Sequence, residues 1–307
     1  MKLGAISVAA VTPRRNLGYE ADLAATLELV DYLCASGAHG IALLGSTGEF
    51  LHLNPEHRAH LVRMAVKRSR VPVLAGVTHS TFDGTVLLAE QAAQAGAAAV
   101  LVMPPYFFPY AQSEVREFYL RFADRLAGAV PILLYNIPFF TTALSVETSC
   151  ELLATGRFAG IKDSSGDFDQ FLRLKAQRES TPFTLLVGND VIFTSARSAG
   201  ADGGISGVAC AVPELMLGLD SAIQAGDSGK VQRLEGRLQE FILWLNRFPA
   251  PVGTREATAA RGVKVGPLAM PLSAEKQCEM EEFRGWFLEW LPEMLKDCRT
   301  IMDAEKR

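Results

Sequence analysis

The sequence predicts an α/β fold, a (β/α)8 TIM barrel with a C-terminal helical subdomain, and three observations lead to it. Eight short apolar segments recur along the first two thirds of the 307-residue chain. Amphipathic segments of helical length separate them, at the roughly 20 to 35 residues per unit that parallel βαβ crossovers require. The loop after the first segment lacks the G-x-G-x-x-G fingerprint that opens many doubly wound sheets. An open sheet is the alternative, but eight units favour closure into a barrel.

Each predicted strand is an apolar run that ends in a polar or glycine-rich loop. The first run, Ala5–Val11, is followed by Thr12-Pro13 and no small-residue cleavage site, so we interpret it as a strand rather than a signal peptide. The other strands are predicted at Gly40–Leu44, Pro72–Ala75, Ala98–Met103, Pro131–Tyr135, Phe158–Ile161, Thr184–Val187 and Gly203–Ile205.

The segments between the strands have helical periodicity. Ser113 stands where a helix would start, and Gly37 and Gly96 stand at C-cap positions. The clearest helices are Asp22–Ser36, Pro55–Ser69, Thr85–Ala95 and Ser113–Leu126.

After the eighth strand the pattern is wholly helical. One apolar stripe runs from Val231 to Leu245 and another from Phe283 to Leu295, and both suit helix packing. We therefore predict a barrel over residues 1–225, which carries the active site, and a helical subdomain over residues 226–307.

Composition excludes several classes of protein. The net charge of −4 gives no electrostatic case for binding nucleic acid or an anionic membrane. The five cysteines are far apart, without a C-x-x-C pair, which fits a reducing cytoplasm better than a disulfide framework. No apolar run is long enough to span a bilayer. His57 and His60 share a helix face but accompany no carboxylate cluster, so we predict neither a metal nor a cofactor.

The active site of such a barrel lies where its strands end, and that is where polar residues occur. A lysine at the end of a buried strand loses hydration, which disfavours the ammonium and makes the amine a nucleophile that can form a Schiff base. A loop with glycines and hydroxyls suits a carboxylate, and a nearby phenol can move protons. Taken singly, each has a plainer alternative: a surface lysine, a simple turn, a core tyrosine. The residues at the predicted strand ends are Thr12, Gly45-Ser46-Thr47-Gly48-Glu49, Tyr106, Tyr135-Asn136, Lys162, Gly188-Asn189-Asp190 and Ser206-Gly207.

Four motifs together resemble the dihydrodipicolinate synthase / N-acetylneuraminate lyase family, the class I pyruvate-dependent aldolases. They are G-S-T-G-E after the second strand, P-P-Y after the fourth, Y-N-I-P at the fifth and G-I-K-D-S-S-G-D at the sixth. The match runs in order from Thr12 to about Gly207. The resemblance implies a lyase that uses pyruvate or another 2-oxo acid with an aldehyde, and a homotetramer built as a dimer of dimers.

The resemblance also implies residue roles. Lys162 matches the Schiff-base lysine and Tyr135 the phenol that transfers protons. Ser46 and Thr47 match the hydroxyl residues that hold the keto-acid carboxylate and relay protons. Tyr106 matches a tyrosine that family members lend to the neighbouring subunit's relay.

Substrate contacts are further implied at Ile205, whose counterpart directs its carbonyl at the keto acid, and at Gly188. Phe140 stands where dihydrodipicolinate synthases carry the arginine that clamps aspartate semialdehyde, and phenylalanine offers neither charge nor donor. The loop Pro105-Tyr106-Phe107-Phe108-Pro109 also resembles that of 2-keto-3-deoxygluconate-type aldolases. The resemblance is therefore closer to 2-keto-3-deoxy sugar acid or 4-hydroxy-2-oxo acid aldolases than to true dihydrodipicolinate synthase. Arg14 or Arg15 is a candidate replacement charge.

Three alternatives stay open from sequence. The chain could be a dihydrodipicolinate synthase that lacks the usual arginine. The glycines at Gly188 and Gly203-Gly204 also fit a phosphate-binding TIM-barrel isomerase. The barrel could also be a non-catalytic sensor that binds a 2-oxo acid at the strand ends without turnover.

Overall fold

A closed barrel of eight parallel strands forms the centre of the molecule in a computed structural model, which describes residues 5–15 and 20–299. The strands follow one another around the barrel in chain order, and β1 closes it by pairing with β8. The predicted fold class is thus confirmed. The strands are β1 Ile6–Ala9, β2 Gly40–Leu43, β3 Val73–Gly76, β4 Ala99–Val102, β5 Ile132–Asn136, β6 Gly160–Asp163, β7 Thr184–Val187 and β8 Gly203–Ser206.

Helices surround the barrel because each strand is buried on both faces and needs a covering layer. Seven of the described α-helices begin after an Asp, Asn, Ser or Thr whose side chain accepts a backbone N–H. The α-helices are α1 Leu23–Ala35, α2 Pro55–Arg68, α3 Phe82–Ala95, α4 Gln112–Leu126, α5 Val146–Ala154, α6 Phe168–Gln177, α7 Phe193–Ser198, α8 Pro213–Ala225, α9 Ser228–Leu245, α10 Val252–Ala260 and α11 Ala274–Arg299. Short 3-10 turns lie at Phe50–His52, Asp190–Ile192 and Val208–Cys210.

The predicted element bounds agree with the structure to within a few residues, and three differences are informative. The predicted run ended at Ile161, whereas β6 runs to Asp163, so Lys162 is the penultimate residue of the strand. Helix α4 begins at Gln112, so Ser113 is its second residue and not its cap. The N-cap is Ala111, whose side chain makes no capping hydrogen bond. Gly96 is the left-handed C-cap predicted for α3, whereas Gly37 lies one residue beyond the C-cap of α1.

The last helices pack on each other and on the barrel. Aromatic rings of α9 and α11 stack, with Phe241 in contact with Phe283, Trp286, Phe287 and Trp290. Helix α8 ends at Ala225, with Gly226 as its C-cap, at the boundary predicted between the barrel and the helical subdomain. That division stays a prediction, and its outer limits, residues 1 and 307, lie outside the described residues. Within the described chain no helix combines the length and apolarity needed to cross a membrane.

Candidate functional site

Two neighbouring strands place the lysine and the phenol side by side. In the register of β5 and β6, Tyr135 pairs with Lys162. Lys162 is only 3% exposed, and its Nζ lies 4.0 Å from the centroid of the Tyr135 ring. A cation this close to a buried aromatic face is attracted to it. Strand pairing therefore fixes the amine against the phenol before any ligand binds.

A second pair, one residue further along, secures that register. Asn136 donates from Nδ2 to Asp163 Oδ1 at 2.7 Å, and its own Oδ1 accepts from the Leu144 N–H at 3.0 Å. Asp163 also accepts from the Ser165 hydroxyl at 2.8 Å. Burial raises the pKa of the Asp163 carboxyl, and these hydrogen bonds offset only part of that effect. The network holds the ends of β5 and β6 together beside the amine.

Tyr135 is also tied to the loop after β2. Its hydroxyl lies 3.0 Å from Ser46 Oγ. Burial alone would raise the pKa of the Tyr135 phenol, but the charge of the neighbouring Lys162 and the hydrogen bond with Ser46 outweigh it, so the pKa is lowered. A phenol with a lowered pKa can exchange protons with a nearby amine or hydroxyl.

The loop after β2 is wedged between neighbouring backbones. Leu44 adopts a φ of 60°, in the left-handed region that non-glycine residues seldom occupy. A Cβ at Gly76 would lie 2.1 Å from the Leu44 carbonyl oxygen, and one at Gly48 would lie 2.8 Å from the Leu44 nitrogen. Thr12 donates from Oγ1 to the Gly48 carbonyl at 2.7 Å. The turn that presents Ser46 is therefore held on several sides.

A buried arginine from the C-terminal helices completes this support. Arg255 of α10 is 1% exposed and donates to Glu49 Oε2, the Thr12 carbonyl and the Val265 carbonyl, each at 2.8 Å. Burial lowers the pKa of Arg255, and its ion pair with Glu49 opposes only part of that shift. The sequence analysis missed this residue, because nothing in the local pattern of α10 identifies its partner some two hundred residues earlier.

A cavity of about 490 Å³ opens above these groups. Ser46, Thr47, Ser164, Gly188 and Asp190 line it on the barrel side. Lys162 lies just behind this lining. A Cβ at Gly188 would meet Lys162 Cε at 2.6 Å and Ser164 Oγ at 2.0 Å, so only glycine leaves room for the lysine stem.

Asp190 is the carboxylate of this lining. Its Oδ2 accepts from the Val208 N–H at 3.1 Å. Burial raises the pKa of Asp190 more than hydrogen bonds from Ser206 and the Val208 backbone, together with the charge of Lys162, lower it. The sequence analysis named Asp190 only as one residue of the loop after β7.

The structure gathers most of the sequence-predicted site residues at one end of the barrel. Lys162, Tyr135 and Ser46 are in direct contact. Phe140 lines the 490 Å³ cavity, together with Thr47 and Gly188. Residue by residue, six of the predicted positions are therefore adjacent in space.

The remaining positions lie to the side. Tyr106 lines a smaller cavity of about 180 Å³ that shares Ser46 and Phe140 with the larger one. Ile205 is buried in β8 and lines neither cavity. The two candidate replacement charges, Arg14 and Arg15, do not line them either; Arg14 is buried and Arg15 is exposed.

The opposite end of the barrel offers no such grouping. A cavity of about 760 Å³ lies there, at the amino ends of the strands, beside Ala159, Thr184 and Asp202. It is larger than the site cavity but contains none of the sequence-predicted residues. Among residues 5–15 and 20–299, no three His, Cys, Asp or Glu side chains are grouped so that they could hold a metal ion.

The family model, the sequence relatives and the solved structures that this chain resembles agree with one another. Residues 2–285 match the model of the dihydrodipicolinate synthetase family. A DapA-like lyase of Halobacterium salinarum is 35% identical over 242 residues, covering 77% of this chain and 78% of that protein. A 4-hydroxy-tetrahydrodipicolinate synthase of Methanoculleus marisnigri is 31% identical over 260 residues, covering 83% and 88%. The crystal structure of YagE, a dihydrodipicolinic acid synthase family protein from E. coli K12 in complex with pyruvate, superposes with a TM-score of 0.87 at 25% identity, covering 94% of this chain and 99% of that one.

Proposed function

The chain belongs to the dihydrodipicolinate synthetase family of lyases and aldolases, and on that premise we propose that it is a class I aldolase whose Lys162 forms a Schiff base with pyruvate or another 2-oxo acid. The observation that carries the proposal is the buried Lys162 amine, which lies 4.0 Å from the Tyr135 ring. The Tyr135 hydroxyl is in turn hydrogen-bonded to Ser46. The pyruvate complex of YagE supports the choice of 2-oxo acid.

The amine attacks the ketone carbon of the 2-oxo acid, and loss of water from the carbinolamine gives a protonated imine. The iminium then draws electrons from the neighbouring carbon, so that the C3 proton leaves and an enamine forms. Tyr135 takes the role of proton carrier in these steps, because its lowered pKa suits transfer in both directions. Ser46 is the next hydroxyl in the relay.

The carboxylate of the 2-oxo acid binds at Ser46 and Thr47. Both residues line the cavity, and the turn that carries them is braced by Gly48, Gly76 and the Thr12 hydroxyl. Hydroxyl and backbone N–H donors bind an anion without placing a second positive charge beside Lys162. Such a charge would repel the protonated imine and oppose its formation.

Borohydride trapping tests the proposal. The protein is incubated with pyruvate and borohydride, then digested, and the peptides are weighed. We expect one reduced pyruvyl group on Lys162, its loss in Lys162→Arg, and its retention in Lys175→Arg, which changes a lysine beside the cavity at the opposite end of the barrel. An unmodified Lys162 peptide, or an adduct on another lysine, would overturn the Schiff-base assignment.

The same trapping separates the other classes of function. A phosphate-binding isomerase needs no covalent intermediate and gives no adduct. A sensor without turnover keeps its affinity for the 2-oxo acid in Lys162→Ala, whereas the aldolase loses covalent capture.

Tyr106 and assembly form the last part of the proposal. The loop after β4 carries Phe107 and Phe108, both strongly exposed, beside Tyr106. We expect a homotetramer in which this loop reaches the neighbouring subunit, so that Tyr106 joins a partner's relay. Sedimentation gives the oligomeric state. Mixing inactive Tyr106→Phe and Lys162→Ala subunits tests sharing, since recovered activity requires that the two residues act across an interface.

A further inference from the structure

We propose that the second substrate is an uncharged aldehyde with an apolar substituent, aryl or branched alkyl, which lies against Phe140 and the C-terminal helices. This inference rests on the proposed Schiff-base chemistry and names the class of acceptor for the same site. Of the two classes that the sequence analysis named, it favours a 4-hydroxy-2-oxo acid aldolase over a 2-keto-3-deoxy sugar acid aldolase.

The first argument is the division of the 490 Å³ cavity into two regions. The region next to Lys162 is polar, with Thr47, Ser164 and Asp190 on the barrel side. The region away from it is formed by Phe140 together with the C-terminal wall, which we define as Ile242, Leu245, Phe248 and Pro251. It is largely apolar, and Asn246 and Thr254 are the polar side chains that the same segment adds. An acceptor must direct its reacting carbonyl towards the lysine, so its substituent points at the apolar region.

The second argument is charge. Of the described residues that line this cavity, Asp190 is the one with an acidic or basic side chain, and Lys162 behind the lining is consumed by the imine. A substrate carboxylate in the outer region would be desolvated without a cationic partner and would face Asp190. Such burial is strongly unfavourable. The smaller cavity adds His52 and Glu49, and Glu49 is already paired with Arg255.

The third argument concerns hydroxyl groups. A polyhydroxylated aldehyde would place several hydroxyls against Phe140, Leu245 and Phe248, which neither donate nor accept. Asn246 and Thr254 offer two polar side chains, fewer than the donors and acceptors that such a chain presents. Hydroxyls that lose water without a new hydrogen bond reduce affinity. An aryl or branched alkyl group instead gains from burial, which is worth on the order of 10- to 100-fold in affinity for a group of this size.

The chemistry balances without a further reactant. The C3 carbon of the Lys162 enamine attacks the aldehyde carbonyl carbon, and one C–C bond forms. The carbonyl π electrons go to oxygen, which takes a proton and becomes the 4-hydroxyl. The water released when the imine formed is used again to hydrolyse it, so pyruvate and aldehyde give a 4-hydroxy-2-oxo acid with the apolar group on C4.

A panel of acceptors tests the inference. Initial rates with pyruvate are measured for benzaldehyde, isobutyraldehyde, glyceraldehyde and aspartate semialdehyde. We expect kcat/KM for the two apolar aldehydes to exceed that for glyceraldehyde by roughly 10-fold or more. A preference for glyceraldehyde or for the semialdehyde overturns the inference.

Variants of Phe140 locate the effect. The ratio of kcat/KM for benzaldehyde to that for glyceraldehyde is compared within each variant, so a general loss of activity cancels. We expect Phe140→Ala to lower this ratio and Phe140→Arg to raise the relative rate with aspartate semialdehyde. Leu288→Ala is the matched control, since Leu288 is 52% exposed, close to the 57% of Phe140, but lies on α11 and does not line the cavity. The assignment is refuted if Phe140→Ala leaves the benzaldehyde-to-glyceraldehyde ratio unchanged and Phe140→Arg leaves the relative rate with aspartate semialdehyde unchanged.

Two further measurements keep the outcomes separate. Thermal melts show whether each variant is folded, and Phe140→Leu replaces Phe140→Ala if the latter does not fold. Borohydride trapping of the unaltered protein with pyruvate is done first. A trapped adduct without preference for apolar acceptors defeats this inference and leaves the proposed function intact, whereas absence of an adduct defeats the proposed function itself.

Discussion

Replacing Arg255 with methionine is expected to weaken both the fold and the site, because this one side chain joins the C-terminal helices to the loop after β2. Arg255 is 1% exposed and its partner Glu49 is about 10% exposed at the side chain. The guanidinium also donates to the carbonyls of Thr12 and Val265. Methionine fills a similar volume but restores none of these hydrogen bonds.

The size of the effect follows from what is left behind. Removing one partner of a buried ion pair leaves an uncompensated charge, here on Glu49, at a cost of about 3 to 5 kcal/mol. Unfolding entropy near 2.1 cal/mol/K per residue gives about 0.6 kcal/mol/K for 307 residues, so Tm should fall by about 5 to 8 °C. Because Glu49 closes the turn that begins at Ser46, we also expect a higher KM for pyruvate.

Thermal melts and pyruvate saturation curves measure these two effects. Arg121→Met is the control, since Arg121 forms an exposed i,i+4 ion pair with Glu117, of a kind worth about 0 to 1 kcal/mol. Equal shifts in Tm for Arg255→Met and Arg121→Met would show that the buried pair has no special weight. An unchanged KM for pyruvate in a destabilised Arg255→Met would refute the coupling between α10 and the loop.

Two other predictions concern the cavity. Gly188→Ala is expected to slow borohydride-trapped adduct formation on the order of 100-fold, because the new Cβ displaces the Lys162 stem; Gly236→Ala, in α9 with no heavy atom near its added Cβ, should instead stabilise the fold by about 0.5 to 1 kcal/mol. Equal trapping rates would contradict the steric argument. The raised pKa of Asp190 means that the folded state binds its proton more tightly than the unfolded state, so stability present below pH 3.8 is lost as pH rises through the folded-state pKa. Asp190→Asn removes this loss, and its Tm relative to the unaltered protein should therefore be higher at pH 7 than at pH 4; a pH-independent difference would show that Asp190 has no shifted pKa.

The barrel was predictable because each strand is encoded locally. Strands buried on both faces read as short apolar runs, and helices between them read as amphipathic segments, so eight repeats are visible without any long-range information. The same rule placed Ser46, Tyr135 and Lys162 at one end of the barrel, since parallel strands end on the same side. Their contact distances depend on register, which the runs do not specify. The predicted apolar run stopped at Ile161 with Lys162 at the end of the strand, whereas β6 continues through Lys162 to Asp163.

Long-range partners were not predictable in the same way. Arg255 reads as one more cation in a short helix, and only the packing of α10 on the barrel brings it to Glu49. The Asn136–Asp163 hydrogen bond likewise depends on the pairing of β5 with β6. In each case two distant segments supply the partners, and a pattern within one segment contains neither the distance nor the burial.

The barrel strands position the residues that form the imine, whereas the C-terminal helices form the outer region of the cavity. Lys162 and Tyr135 are positioned by strand register, whereas the turn that carries Ser46 is also held from α10 through Arg255 and Glu49. Ile242 and Leu245 come from α9, and a substitution there changes the outer region of the cavity without moving a strand. Acceptor preference can therefore change while the covalent step is retained. Because Phe140 and α9 meet at that outer region, they and not the strand ends are where selectivity for the aldehyde should be altered.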